Sequence, residues 1–377
     1  MVRPEPTPPP APTAETKPLA PQAPIIAAPP VTPAPQVTAP GPQIVPRATT
    51  IAAPPPPKAL PAATGPIALV LPVNSSTYGR AASAVKAGFL AAAAISNDQP
   101  LVVEHGDGEV EAAFRQARAS GARVIVGPLV RDDVRTIAAD GINAPLILAL
   151  NQLDDGARLP PNMFTLTLAV ESDARQLARL ARDSGAMTMA VVGADTPLQK
   201  RFASAFVDEW LLAGGTAPVM LHFDRSPDML ALLKRELARR QVDAVVLAVD
   251  GPDAALAKPY LGTATTYAGS TANDRPSREA VRDLEDVRFV DIPWVATPDA
   301  PEFARIPRPD FPNATLDRLY ALGIDAFRVA QLLADGRLDH IELDGATGHL
   351  SLDSTRQFTR DARAMQFKGG QIVPLSP

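Results

Sequence analysis

The chain has 377 residues, 20 % of them charged, a net charge of −5 and no cysteine. Its length allows two linked domains, and the missing thiols exclude disulfides, thiol catalysis and thiolate metal sites. No basic block interleaved with aromatics points to nucleic acid, and no apolar run of about 18 residues free of proline points to a membrane span.

Residues 1–65 differ in composition from everything that follows. Pro, Ala, Thr and Gln dominate, and the segment carries about half of the 42 prolines. Proline fixes φ and removes N–H donors, and there is little apolar bulk to bury, so this is expected to be a disordered linker with polyproline II character. Its opening, MVRPEPTPPP, lacks the apolar core of a signal peptide. Fully extended, it would reach roughly 200 Å at ~3.1 Å per residue, which suits a tether between a folded body and an anchor. A dispensable tail fits the composition equally well.

The folded part, 66–377, opens on a continuous apolar run at 67–73, the pattern of a parallel strand covered on both faces. A polar turn, 74–79, leads into a long helix ending near Ala94. The side-chain oxygens of Asn74, Ser75, Ser76 and Thr77 suit capping of that helix. Ligand clefts in open α/β sheets lie beyond the carboxyl ends of the strands, so Asn74, Ser75, Ser76 and Tyr78 are candidate cleft residues. Strands are expected at 100–104, 123–126 and 145–150, the last opening on Asn151, another cleft candidate. Helices are expected at 109–120 and 130–139. Strict alternation with short connections demands a parallel sheet with helices on both faces.

Residues 163–168 are extended and lead to a helix over 170–184. A second alternating series follows, with strands at 187–192, 217–223, 243–249 and 265–268 and helices at 197–213 and 227–240. Residues 271–286 read as a loop with a short helix, 287–294 turn inward, and 297–313 read as a proline-rich loop. An amphipathic helix is expected over 316–333. Short strands punctuated by glycine over 341–375 are expected to complete one lobe. The simplest reading is two lobes, about 66–168 with 291–336, and about 169–290 with 337–377.

Catalytic patterns are sparse. His105, His222, His340 and His349 have no metal-ligand spacing, the Glu104–Glu109 cluster does not match a calcium loop, and no glycine-rich phosphate loop is present. No cofactor or metal is implied. Ser270 follows a strand, but a nucleophile elbow needs glycine two residues to either side and here Ala268 and Ala272 stand there. A strand-end turn is the better reading, and it leaves Ser270 a cleft candidate. Asp195, Asp250, Asp253 and Asp291 lie near strand ends, where carboxylates could do acid–base work if they converged, or cap helices. With only 5 % aromatics, Tyr78, Tyr267 and Trp294 stand out near strand ends. Each could wall a ligand or anchor a partner, although Trp294 suits core packing between the lobes equally.

The layout resembles the type I periplasmic-binding-protein fold, and several stretches are similar to the penicillin-binding protein activator family of the LppC/LpoA type. These are LPVNSSTYGRAASAVKAGFLAA in the opening unit, Val126-Gly127-Pro128-Leu129 and Leu148-Ala149-Leu150-Asn151 at strand ends, Asp291-Ile292-Pro293-Trp294, the RLYALGIDA stretch from Arg318 to Ala326, and GATGHLSLD from Gly345 to Asp353. They span about 66–377. The resemblance implies an outer-membrane lipoprotein facing the periplasm. It would bind a class A penicillin-binding protein, and possibly peptidoglycan, and stimulate cross-linking without catalysis of its own. No cysteine is present to carry a lipid, so an anchor missing from this sequence is expected. A periplasmic substrate-binding protein for an amino acid or cell-wall fragment is the alternative. Amino-acid-binding relatives place Ser or Thr after the third strand, where this chain has Pro128-Leu129-Val130-Arg131.

Overall fold

The computed structural model describes residues 65–141, 145–153 and 156–375. The linker expected over 1–65 lies, apart from Gly65, outside the described residues. The first body is built from β1 (Ile67–Leu71), α1 (Gly79–Ile95), β2 (Leu101–Glu104), α2 (Val110–Ala119), β3 (Val124–Val126), α3 (Arg131–Ala139), β4 (Leu146–Ala149) and β5 (Met163–Thr165). Its strands are all parallel, in the order β2-β1-β3-β4-β5. All five residues of β1 are buried, because helices cover both faces. Ile67, Leu69 and Leu71 face one core, whereas Ala68 and Val70 face the other with Ala113 and Phe114 of α2 and Val134 of α3. An alternating strand would have left one of these faces wet.

The second body starts at α4 (Val170–Asp183) and continues with β6 (Met189–Gly193), α5 (Pro197–Leu212), β7 (Val219–His222), α6 (Pro227–Arg240), β8 (Ala244–Ala248), α7 (Gly251–Ala257), β9 (Thr265–Ala268), α8 (Arg278–Asp283) and β10 (Arg288–Asp291). The order β7-β6-β8-β9-β10 repeats that of the first sheet strand for strand, again all parallel. Thr196 and Ser226 cap α5 and α6 and are each followed by proline, a start signal that places both helices where the sequence predicts them. The short α7 was not expected. Its signal is Asp250-Gly251-Pro252, in which Asp250 accepts the Asp253 N–H at 3.0 Å.

The chain then returns to the first body through α9 (Pro293–Ala296) and α10 (Ala314–Ala334). Helix α10 packs along α1, with Phe89 and Phe327 edge to face at 5.2 Å. The two backbones meet at Gly88 and Gly323. A Cβ on Gly323 would lie 2.0 Å from the Val85 carbonyl oxygen, and one on Gly88 would lie 1.9 Å from that of Tyr320.

The closing strands divide between the bodies. The hairpins of β11 (Glu342–Asp344), β12 (His349–Leu352) and β13 (Phe358–Asp361) form a small antiparallel sheet whose Leu350 and Phe358 join the first core. Strands β14 (Arg363–Lys368) and β15 (Gln371–Pro374) extend the second sheet antiparallel beyond β10. The expectation that 341–375 completes one lobe is corrected accordingly. Alternating apolar residues set a strand's inward face but do not say which of two cores that face meets.

Candidate functional site: the cleft between the two sheets

The carboxyl ends of β1, β3, β4 and β5 open onto a cleft of about 610 Å³, closed on its far side by the starts of α4 and α5 and floored by Leu319 and Leu322 of α10. Tyr78 reaches it from the β1 turn and is 43 % exposed. Ser75 sets that turn. Its buried Oγ accepts the N–H groups of Thr77 at 3.2 Å and Tyr78 at 3.0 Å. The expected capping is corrected here: α1 begins without a side-chain cap, and Ser75 shapes the loop that presents Tyr78. Asn74 and Ser76 are exposed and do not line the cleft.

Asn151 does line it, but its side chain is already bonded. The Nδ2 group donates to the Leu129 carbonyl at 2.9 Å and Oδ1 accepts the Gln152 N–H at 2.9 Å. It ties the ends of β3 and β4 together. Sequence reasoning missed Arg131, Gln152 and Arg201 as cleft-lining side chains. Arg131 stands where the binding-protein pattern expects a hydroxyl, which was the available signal.

Trp294 is fully buried and belongs to the core. It packs on Phe303 at 5.2 Å and Tyr320 at 5.4 Å, and the Arg308 guanidinium lies 3.7 Å above its ring. As a cleft candidate it is corrected. A large apolar ring after a strand is buried by the returning helix α10, which local sequence does not reveal.

Ser270 lies beside a separate hollow of about 70 Å³ at the ends of β8 and β9. Its Oγ donates to Asp173 at 2.9 Å. Asp173 also takes a buried ion pair from Arg360 of β13, and Arg360 donates onward to the Thr347 carbonyl at 3.4 Å. The Ser270 carbonyl accepts from Arg318 of α10 at 2.8 Å, and Arg318 grips Asp291 through two bonds of 2.9 and 2.8 Å. Asn273 adds a bond to Asp291 at 2.9 Å. Two buried ion pairs thus join elements of one body to elements of the other, each neutral as a pair.

The remaining strand-end carboxylates do not converge. Asp195 is exposed beside Lys200 at 3.1 Å, Asp250 caps α7, and Asp253 pairs with Arg225 at 2.6 Å. Among the described residues, no three His, Cys, Asp or Glu side chains group as a metal site.

Two sheets, each with five parallel strands in the same order, joined by three crossings and facing each other across a cleft, define a two-lobed body of the type I periplasmic-binding-protein class. A family model described as "LppC putative lipoprotein" matches residues 62–370, and the chain belongs to that family. Among curated proteins, penicillin-binding protein activator LpoA of Edwardsiella piscicida is 28 % identical over 309 residues, covering 70 % of this chain and 44 % of its own length. The chain spans about half the length of the curated relatives it matches. Among solved structures, a protein assigned as a branched-chain amino acid ABC transporter from Chromobacterium violaceum matches at TM-score 0.70 and 38 % identity, over 80 % of this chain and 99 % of that one. The C-domain of Haemophilus influenzae LpoA, a regulator of PBP1A, matches in fold at TM-score 0.71 and 24 % identity, over 83 % of this chain and all of that one.

Proposed function

We propose that this chain is a non-enzymatic regulator that binds a class A penicillin-binding protein in the periplasm and stimulates peptidoglycan cross-linking. The observation that carries this reading is membership of the LppC family across 62–370, the same body that the relatives named as penicillin-binding protein activators share with it. The family's lipoprotein description supports a lipid anchor at the outer membrane. No helix among the described residues is long and apolar enough to cross a membrane. The division into two lobes near 168/169 and 290/291 is part of this proposal, with the last crossing between β13, ending at Asp361, and β14, starting at Arg363. The mechanism is linkage: a body that prefers the active conformer of the synthase raises that conformer's population in proportion to the difference in affinity.

The test is a pull-down of a purified class A synthase by the full chain, followed by a cross-linking assay. Capture at micromolar concentration with increased cross-linking is expected, and no capture overturns the proposal. A transport receptor for a free amino acid is the second reading, favoured by the open cleft and the Chromobacterium match. Arg131 in place of a hydroxyl argues against it. A melting-temperature rise with one amino acid would select it, since a ligand at 100 times its Kd stabilises by about 2.7 kcal/mol.

A further inference from the structure

We propose that the outer end of the second body, at the amino ends of β9 and β10 and away from the cleft, is a docking site for an acidic, extended segment of a partner protein. One large apolar side chain of that segment sits between its carboxylates. The inference rests on charge and shape at this surface and not on the synthase reading.

Two hollows meet here. One, of about 470 Å³, lies between the last turns of α6 and the short turn Lys258–Tyr260, and is walled by Leu237, Val242, Tyr260 and Leu261. The other, of about 280 Å³, is polar and lies against Lys258, Thr265, Asp286 and Arg288. Gly262, Thr263 and Ala264 belong to both, so their loop is a ridge between the two. At Gly262, with φ +68°, no heavy atom beyond its chain neighbours lies within 4 Å of where a Cβ would stand. The ridge is therefore low and open at that point. A compact ligand would fill one hollow, whereas a linear one crosses the ridge and fills both.

Charge sets the ligand class. Lys234 lines the first hollow, and Lys258, Arg288 and Asp286 line the second. Three cations against one anion sum to +2, in a chain whose net charge is −5. None of the three cations has a carboxylate partner among the described residues. Arg288 donates to the Ser184 hydroxyl at 3.2 Å and the Tyr267 hydroxyl at 3.4 Å, and Asp286 accepts from the Gln366 amide at 3.2 Å. The neighbouring carboxylates are already engaged. Glu236 is held by Arg239 at 2.8 Å and Arg240 at 3.4 Å, and Asp243 by the Met187 and Thr188 backbone N–H groups at 3.0 and 2.8 Å. Lys258 is half-buried, and a cation stripped of part of its water with no counter-charge favours a bound anion.

The apolar hollow decides what carries that anion. An inorganic anion would leave Tyr260 and Val242, both half-buried, wet. A flat anionic surface would rest on the ridge and leave both hollows empty. A peptide with a large apolar side chain between two carboxylates covers Tyr260 and Val242 and balances the +2. The Tyr260 hydroxyl and the Gln241 amide have no hydrogen-bond partner among the described residues, and both complement a peptide backbone.

The experiment is calorimetric titration of the full chain, at about 50 mM salt to limit screening, with N-acetyl-Glu-Glu-Phe-Glu-Glu-amide. The comparators replace every Glu by Gln, or Phe by Ala. The acidic Phe peptide is expected to bind about tenfold or more tighter than either. Lys234→Gln with Lys258→Gln, at unpaired side chains, should keep the melting temperature of the parent and lower affinity for the acidic peptide to that for the Gln peptide. Asp286→Asn should raise affinity for the acidic peptide. Absence of heat up to about 1 mM peptide, equal binding of the Glu and Gln peptides, or undiminished binding by the double variant each overturns the proposal. Sedimentation with phosphatidylglycerol vesicles that the double variant loses, without peptide binding, overturns it in favour of a membrane surface.

Discussion

Tyr320 donates its hydroxyl to the Pro307 carbonyl at 2.6 Å beneath the Trp294 ring. Burial pushes its pKa from 10.0 up to about 12, partly opposed by Arg308. The unfolded chain releases this proton near pH 10 while the folded chain holds it until about 12. Stability from this group is complete below pH 10 and falls as pH rises toward 12, by about 2–3 kcal/mol. Urea unfolding across that range should show the slope, and Tyr320→Phe should flatten it. Tyr320 also illustrates what the family-like stretches encode. Arg318 pairs with Asp291, the Trp294 backbone N–H donates to the Ala346 carbonyl at 3.0 Å, and buried Asp325 accepts the Ala346 and Thr347 backbone N–H groups at 2.8 and 2.7 Å. The stretches legible as motifs interlock as core, and some of them also reach the cleft, through Tyr78, Asn151, Leu319 and Leu322. The cleft's free side chains, Arg131 and Gln152, stand out only once their lack of partners is seen.

At the scale of elements, the crossing of α1 and α10 inverts an ordinary rule. Alanine in place of a mid-helix glycine normally stabilises by about 0.5–1 kcal/mol. At Gly323 the added methyl would meet the Val85 carbonyl at 2.0 Å and the Phe89 nitrogen at 2.8 Å. Gly323→Ala should therefore destabilise by about 1–3 kcal/mol or more, as overpacking does, and a gain in urea resistance would show that the helices separate freely. Most elements were readable before the fold was known, because strands buried on both faces are continuous apolar runs and helices carry start signals such as Thr196-Pro197 and Ser226-Pro227. The closing strands are legible over 341–375, but their partners are not, since these lie far away in sequence: β14 joins a strand some 70 residues earlier, and nothing local to Arg363–Lys368 names it.

Across the whole molecule, Arg318 and Arg360 act as rivets between the two bodies. Arg318→Met should cost about 3–5 kcal/mol in urea unfolding, because it leaves Asp291 charged and fully buried. Adding Asp291→Asn should return part of that loss, since the pair is coupled; additive losses would show that the two residues act separately. The placement of α10 has a consequence for biogenesis. Strand β5 ends at Thr165, yet the helix that seals its sheet begins at Ala314, about 150 residues later. That oily flank stays open until residues far downstream have emerged, so the half that appears first is the half finished last, and a chaperone would find its client there.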